Sequence, residues 1–458
     1  MKTLIRIAAL TAVLASSTAA IAADTSSDVT AVNGRWDAVI TRNGTEIPFR
    51  LDIKGAGADL QGVLYDGFKP YDGTTSATFQ DGKLVLNIEH YLTTISATLD
   101  DGKLDGTVVA QNRDSSAQYS FHATRHVNEA AAADAPSIAG TWVIPLDTPS
   151  SKGEKAFRLI VQQQGAEVAA SILRIDGDTG SYSGTYKDGK WVLSHFDGGR
   201  PGVITVSAGQ DGTLKVEQLL TRPAAAPPAA YTANAQTAST SNTYAADATP
   251  DGRYASTLTA YRQEVAQAKG LPAPEDFLTH TTARDPGETF TFNFPDGDGK
   301  LVSNEDPRFK NKVVLAIVTG TWCPNCHDEA QYLVQLDKKY RDKGLAIVAL
   351  DFEEPEQQAT QQRERAFIKK YGVKYTYLQA GAPAEMWEKV PQLNHLDTWP
   401  ATVFIGRDGK VAAVHSGFAS PASGEFHEQL KEEFTARIEK LLGQKVAANQ
   451  TGAGWLAP

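Results

Sequence analysis

An α/β domain with a mixed sheet, preceded by two small all-β modules of barrel or sandwich type, is the architecture this 458-residue sequence predicts. Three observations point to it. An unbroken apolar run at 313–318 is followed at once by Cys323-Pro324-Asn325-Cys326 and an amphipathic segment, the pattern of a strand buried on both faces feeding a helix. The first half of the chain instead alternates apolar and polar residues between Asp-Gly pairs, the residues that supply positive φ in tight hairpins. That half also repeats itself.

The repeat is visible residue by residue. Gly34-Arg35-Trp36 returns as Gly140-Thr141-Trp142, and Phe49-Arg50-Leu51 as Phe157-Arg158-Leu159. Asp81-Gly82-Lys83 returns as Asp188-Gly189-Lys190, and Asp101-Gly102 as Asp211-Gly212. An offset of about 107 residues implies duplication of one module rather than a short solenoid repeat. The Gly-x-Trp that opens each copy resembles the first strand of lipocalin-like barrels. The histidines of this half, His90, His122, His126 and His195, lie far apart with no cysteine near them, so they read as core or surface residues and not as a metal site. Binding or docking is the expected role of the two modules.

Boundaries follow from composition. Lys2 and Arg6, an apolar stretch at 7–15 and Ala20-Ile21-Ala22 make residues 1–22 a secretory signal peptide. Residues 23–127 and 136–222 are the two β modules. Residues 223–250, rich in Pro, Ala, Thr and Ser, read as a flexible linker, and 251–445 as the α/β domain. No later run approaches the roughly 18 apolar residues of a membrane span, so the mature chain is not expected to be an integral membrane protein. A signal peptide implies an oxidising compartment, most simply a periplasm. The net charge of -10, with signs interspersed, excludes nucleic acid and anionic lipid as partners.

Beyond residue 250 the elements can be taken in order. Phe290, Phe292 and Phe294 alternate before the turn Asp296-Gly297-Asp298-Gly299, a leading hairpin. The strand at 313–318 leads to a helix with Ala330, Tyr332, Leu333 and Leu336 on one side, stopped by Gly344. A second buried strand spans 345–350, and a helix at 365–371 ends at Gly372. Strands at 401–405 and 411–415 flank Arg407-Asp408-Gly409, and an amphipathic helix at 426–442 closes the domain.

Cys323 and Cys326 are the chain's only cysteines. A disulfide closing so short a loop constrains the unfolded chain weakly, which argues for chemistry rather than stapling. Cys323 stands where a strand gives way to a helix, so unpaired N–H groups and the helix dipole favour its thiolate. It would attack a substrate disulfide, and Cys326, one turn on, would resolve the mixed disulfide. Pro324 suits a first helical turn, and Pro324-Asn325 carries no positive charge, which favours a reductant. Glu329 lies about one turn beyond Cys326, placed to move a proton if burial raises its pKa; the same spacing also suits a solvated helix glutamate. Trp399-Pro400 before a strand is a candidate cis peptide, or an ordinary trans strand entry.

Trp322-Cys323-Pro324-Asn325-Cys326, Glu329, Pro400-Ala401-Thr402-Val403-Phe404 and Gly406-Arg407-Asp408-Gly409-Lys410, in that order, resemble the TlpA/ResA-type periplasmic disulfide reductases of the thioredoxin superfamily. The resemblance spans about 282–442. It implies a thioredoxin-like fold, Pro400 in cis beside the dithiol, Trp322, Pro324, Trp399 and Pro400 as the substrate-contacting residues, and Glu329 as the family's helix glutamate. It implies no cofactor beyond the redox-active Cys323–Cys326 pair, no metal, disulfides of exported proteins as substrates, and electrons from a membrane donor of the DsbD/CcdA type. Two departures stand out. Ile317 occupies the place of thioredoxin's buried aspartate, and Trp399 is bulky where relatives often carry a smaller residue.

Two other readings share these residues. Cys323-Pro324-Asn325-Cys326-His327 is also a c-type haem attachment sequence, with Met386, His395 or His415 as the available second ligand. A thiol peroxidase of the peroxiredoxin type shares the parent fold, but that site requires Thr or Ser three residues before the reactive cysteine, where this chain has Gly320.

Overall fold

Asp81-Gly82, Asp101-Gly102 and Asp188-Gly189 each adopt positive φ at both residues, the backbone of a two-residue hairpin loop whose twist matches that of its strands. These turns organise the N-terminal half into antiparallel sheet, as the sequence pattern predicts. The computed structural model describes residues 31–42, 44–111, 116–127, 135–178, 180–199, 201–220, 247–248 and 254–443. The signal peptide at 1–22 and nearly all of the linker at 223–250 lie outside the described residues.

The first module is an open sheet of nine strands among the described residues, a half-barrel. Its first strand, Gly34–Arg42, pairs with Thr45–Lys54 on one side and Ser116–Arg125 on the other. Trp36, Leu51, Leu86, Ile95 and Phe121 fill its concave core, which also takes in Phe196 and Val203 of the second module. The second module closes on itself. Eight strands from Gly140–Pro145 onward form a barrel, sealed where Trp142 and Val143 pair with Arg262 and Tyr261.

That closing strand, Tyr254–Arg262, corrects the domain boundary. The sequence reading placed residue 251 onward in the α/β domain, whereas this strand pairs with Leu214–Leu220 and Gly140–Pro145 of the barrel. The low-complexity stretch is therefore an insertion between the barrel's last two strands. A physical reason is visible at the seam. The Arg262 guanidinium lies 4.0 Å from the Trp142 ring centre, and its Nη1 donates to the Ala139 carbonyl. Arg125 repeats this on Trp36, at 4.0 Å, with Nη1 donating to Asn33 O. Each tryptophan also donates its indole N–H to a carbonyl four residues earlier, Val32 or Ile138. The duplication thus includes its final arginine.

The C-terminal domain is built on a five-stranded sheet in the order Thr376–Gly381, Leu345–Phe352, Val313–Thr319, Ala401–Ile405, Val411–Ser416. The first three run parallel, Ala401–Ile405 runs antiparallel to them, and Val411–Ser416 pairs antiparallel with Ala401–Ile405. All seven residues of Val313–Thr319 are buried. Val313, Leu315 and Ile317 face the helices Pro324–Tyr340 and Glu425–Gly443, while Val314, Ala316 and Val318 pack with Phe290, Phe294, Phe352 and Trp399. The predicted elements stand within a few residues of their expected places. Thr376–Gly381 was not anticipated: it is a short edge strand.

Arg262→Ala is expected to destabilise the second barrel by about 1–3 kcal/mol, because it removes both the cation over Trp142 and the bond to Ala139. Urea unfolding followed by tryptophan fluorescence checks this; an unchanged midpoint would show that the seam does not depend on the arginine.

Candidate active site

The central strand ends at Thr319, and the chain turns through Gly320 into the helix Pro324–Tyr340. Cys323 is the helix N-cap, with extended φ −97° and ψ 115°, and its carbonyl accepts from the N–H groups of Cys326 and His327 at 3.0 and 3.2 Å. Pro324 occupies the first turn, where no N–H is needed. Gly320 has a packing reason: a Cβ there would fall 2.3 Å from Trp322 Nε1 and 3.0 Å from Phe352 O.

Both cysteines are buried, Cys323 1% and Cys326 2% exposed. Cys323 Sγ donates to Trp399 O at 3.5 Å, and the Trp399–Pro400 bond is cis. Trp322 stands edge-on to Trp399 with ring centres 5.1 Å apart, and its indole N–H donates to Phe352 O at 2.9 Å. Trp399 thus meets the Cys323 sulfur through its carbonyl, with Trp322 packed against its ring. Burial, reinforced by the hydrogen bond with Cys323, pushes the Cys326 thiol well above its ordinary pKa.

Glu329 is 1% exposed, so the solvated alternative for this residue does not apply. Burial raises its pKa to about 8, opposed by a hydrogen bond from Thr402 Oγ1 to its Oε1. Cys326 and Glu329 line the same cavity of about 10 Å³, with Ile317, Thr319, Tyr375 and Tyr377. That is room for one water-sized molecule between a thiol and a carboxyl. Ile317 contributes only an apolar wall, and the carboxyl lining this cavity is that of Glu329.

His327 is fully buried. Its Nε2 lies 2.7 Å from the Thr321 carbonyl, which can only accept, so Nε2 carries the proton and Nδ1 accepts from Tyr371 Oη at 2.9 Å. Burial and neighbouring His90 hold its pKa down at about 3. With both nitrogens committed, the ring has no lone pair to offer a haem iron.

Sequence reasoning did not find several residues of this site. Thr402 orients Glu329, and its only sequence signal is its place two residues after Pro400. Beneath the Trp322 loop, Thr321 Oγ1 donates to Glu353, and Arg363 joins Glu353 and Glu354, all nearly inaccessible. The acidic run Asp351-Phe352-Glu353-Glu354 after a buried strand was the available clue. Most unexpected is what covers the helix start. Asn325 Nδ2 donates to Asp176 O of the barrel at 2.7 Å, Tyr71 Oη of the half-barrel donates to Asp328 Oδ1 at 2.8 Å, and Tyr91 stacks on His327 at 4.4 Å.

The scattered histidines of the β modules remain scattered. His122 and His126 pair at the surface with Asp105 and Asp37, while His90 and His195 are buried. Among the described residues no three His, Cys, Asp or Glu side chains form a group able to hold a metal ion, and no helix is long and apolar enough to cross a membrane.

Comparison with known proteins agrees with this geometry. The Redoxin family model matches residues 282–430. The thiol-disulfide oxidoreductase ResA of Bacillus thuringiensis subsp. konkukian is 30% identical over 156 residues, covering 34% of this chain and 76% of the relative. ResA of Halalkalibacterium halodurans is 26% identical over 168 residues, covering 36% and 82%. Among solved structures, a putative thiol:disulfide interchange protein DsbE from Chlorobium tepidum is similar at 22% identity, with 34% of this chain and 98% of that one covered and a TM-score of 0.26. A buried dithiol capping a helix at the end of a central strand, and a run of residues shared with ResA over that same domain, lead to one conclusion: the chain belongs to the ResA/TlpA-type thiol-disulfide oxidoreductases of the thioredoxin superfamily.

Proposed function

We propose that this oxidoreductase works in the periplasm as a reductase of disulfides in exported proteins, with Cys323 as nucleophile, Cys326 as resolving thiol and Glu329 as the group that moves the proton. The observation that carries the reading is the cavity shared by Cys326 and Glu329 directly behind the N-cap cysteine. The steps balance as follows. The Cys323 thiolate attacks one substrate sulfur, the substrate S–S bond breaks, and the departing sulfur leaves as a thiolate that takes a proton. Glu329 accepts the Cys326 proton, the Cys326 thiolate attacks the Cys323 sulfur, and the second substrate sulfur is released. The substrate gains two electrons and the pair becomes a disulfide, which a membrane donor of the DsbD/CcdA type would reduce again. No cofactor beyond the dithiol is needed.

Direction follows from charge. Pro324-Asn325 offers no cation to stabilise the reduced pair. The alternatives are disfavoured by packing. A peroxidase-type Thr or Ser at Gly320 would collide with Trp322, and His327 is committed on both nitrogens.

Two measurements test this. Cys326→Ser is expected to accumulate mixed disulfides with exported proteins through Cys323, isolable by tagged capture under acid quench; a variant that traps nothing removes the assigned order of attack. The reduction potential of the pair is expected well below about −200 mV, and a value near about −120 mV would reverse the direction.

Glu329 sets the pH dependence. Its folded pKa of about 8 lies above its ordinary 4.5, so between those values the folded chain holds a proton that the unfolded chain has lost. Its contribution to stability is complete below 4.5 and declines as pH rises through about 8, by up to roughly 1.4 kcal/mol per pH unit. The basic form needed for resolution grows over the same range. Mixed-disulfide resolution is therefore expected to accelerate with an apparent pKa near 8. Glu329→Gln should lose that limb and slow resolution about 10²–10⁴-fold. Stopped-flow resolution rates from pH 6 to 10 check this; an unchanged limb in Glu329→Gln would assign the proton elsewhere.

A further inference from the structure

The surface a substrate must reach is not open. Cys323, Pro324, Asn325, Trp399 and Pro400 are all buried, and the elements covering this face belong to the β modules. Two segments do it. The barrel's turn at Arg174–Gly177 lies directly on the dithiol helix and on the loop that follows the strand Val411–Ser416. There Asp176 O accepts from Asn325 Nδ2 at 2.7 Å and from Phe418 N at 3.3 Å, and Gly177 forms a parallel bridge with Phe418. Phe418 adjoins Gly417, whose N–H donates to Pro400 O at 2.7 Å. The turn thus presses on both halves of the site at once. Asp178 fastens it, accepting from Ser420 N at 2.9 Å and from Ser423 Oγ.

The half-barrel supplies the second segment. Tyr71 donates to Asp328, Tyr91 stacks on His327, and Lys370 Nζ donates to Gly73 O at 3.2 Å. Asn325, His327 and Asp328, the residues on either side of Cys326, are therefore each held by a different β-module side chain or carbonyl. The barrel also meets this domain through an apolar seam, Ile160 and Leu173 packing in one cluster with Phe418 and Ala419, while the contacts directly over the helix start are polar apart from the Tyr91 stack.

We propose that the two β modules are a cap closed over the dithiol, and that a protein disulfide reaches Cys323 only when the Asp176–Gly177 turn and the Tyr71 contact lift from the helix start. This rests on the exchange reading above for its purpose, but not for its geometry. Gly177 gives a handle on it. Its φ is +112°, and a Cβ would stand 2.1 Å from Phe418 O, so Gly177→Ala acts as a wedge against the reductase domain. Asp178→Ala instead removes the fastening and leaves the Ser420 N–H unpaired.

The test measures alkylation of the reduced full-length chain by iodoacetamide, followed by intact mass, beside reduction of insulin disulfides. Gly177→Ala and Asp178→Ala are each expected to be alkylated about tenfold faster than the unsubstituted chain and to reduce insulin faster in proportion. Far-UV circular dichroism establishes that each variant is folded, and Tyr71→Phe, which removes one hydroxyl only, replaces either that is not. Equal alkylation rates in the folded variants and the unsubstituted chain would overturn the cap. Faster alkylation without faster insulin reduction would leave the cap in place and remove the exchange reading.

Discussion

Seven consecutive buried residues, Val313–Thr319, decide where chemistry can occur in this chain. A strand covered on both faces cannot present a side chain to solvent along its length, so anything reactive must sit past its end. There Gly320 is squeezed between Trp322 and Phe352, and the chain turns at once into a helix whose N-cap is Cys323. The rest follows from desolvation. Cys326, one turn deeper, is held protonated by burial, and a buried carboxyl one turn deeper still is raised to about 8 for the same reason. A low-dielectric site thus holds a raised carboxyl at Glu329 behind the cysteine that caps the helix. Ile317, where thioredoxin has an aspartate, keeps the strand side of the cavity apolar and leaves the helix to supply the acid.

Much of this was legible because it is local. Periodicity marks the doubly buried strand, the helix behind it and the Asp-Gly hairpins, since each is written within about ten residues. The closing strand Tyr254–Arg262 is different. Its sequence, Tyr-Ala-Ser-Thr-Leu-Thr-Ala-Tyr-Arg, alternates, but its residues are mostly small or polar and it follows an Ala/Thr/Ser-rich stretch. What makes it a barrel strand is Arg262 meeting Trp142 and Ala139, and the last of these is 123 residues away. No window along the chain contains that pairing. The counterpart in the first module, Arg125, sits 89 positions after Trp36 with no comparable insertion, and aligning the two arginines would have placed the boundary correctly.

The same division runs through the site. Cys323, Cys326 and Glu329 lie on one helix, and their spacing alone proposes them. Thr402 depends on the pairing of Ala401–Ile405 against the central strand, where Thr402 stands opposite Ile317 and so reaches Glu329. The covering contacts are more remote still, with Asn325 and Asp176 separated by 149 positions and Tyr71 and Asp328 by 257. In the fold Asn325 and Asp328 are among the points at which the β modules hold the thioredoxin-like domain.

Relocating the low-complexity stretch changes how those modules can move. Were residues 223–250 the tether, the two halves would be joined by a leash about 30 Å long on average. The covalent connection instead runs from the closing strand through the helix Gln263–Ala268 into the thioredoxin-like domain. Leu271 N–H still bonds back to Ala266 O, and by Glu275 the chain is already tied to its new domain through His280, which also holds Asp397 at 2.7 Å. That leaves residues 272–274, Pro272-Ala273-Pro274, to absorb any change, and both prolines fix φ near −65°. So short and stiff a joint cannot let the barrel drift away; it permits rotation about one point. A rotation that lifts the Asp176–Gly177 turn from Asn325 must therefore break the Asp178–Ser420 bond in the same movement, and the half-barrel, whose core includes Phe196 and Val203 of the barrel, is carried with it. Opening over the dithiol is consequently all-or-none, because the two covering segments belong to one packed body on one pivot.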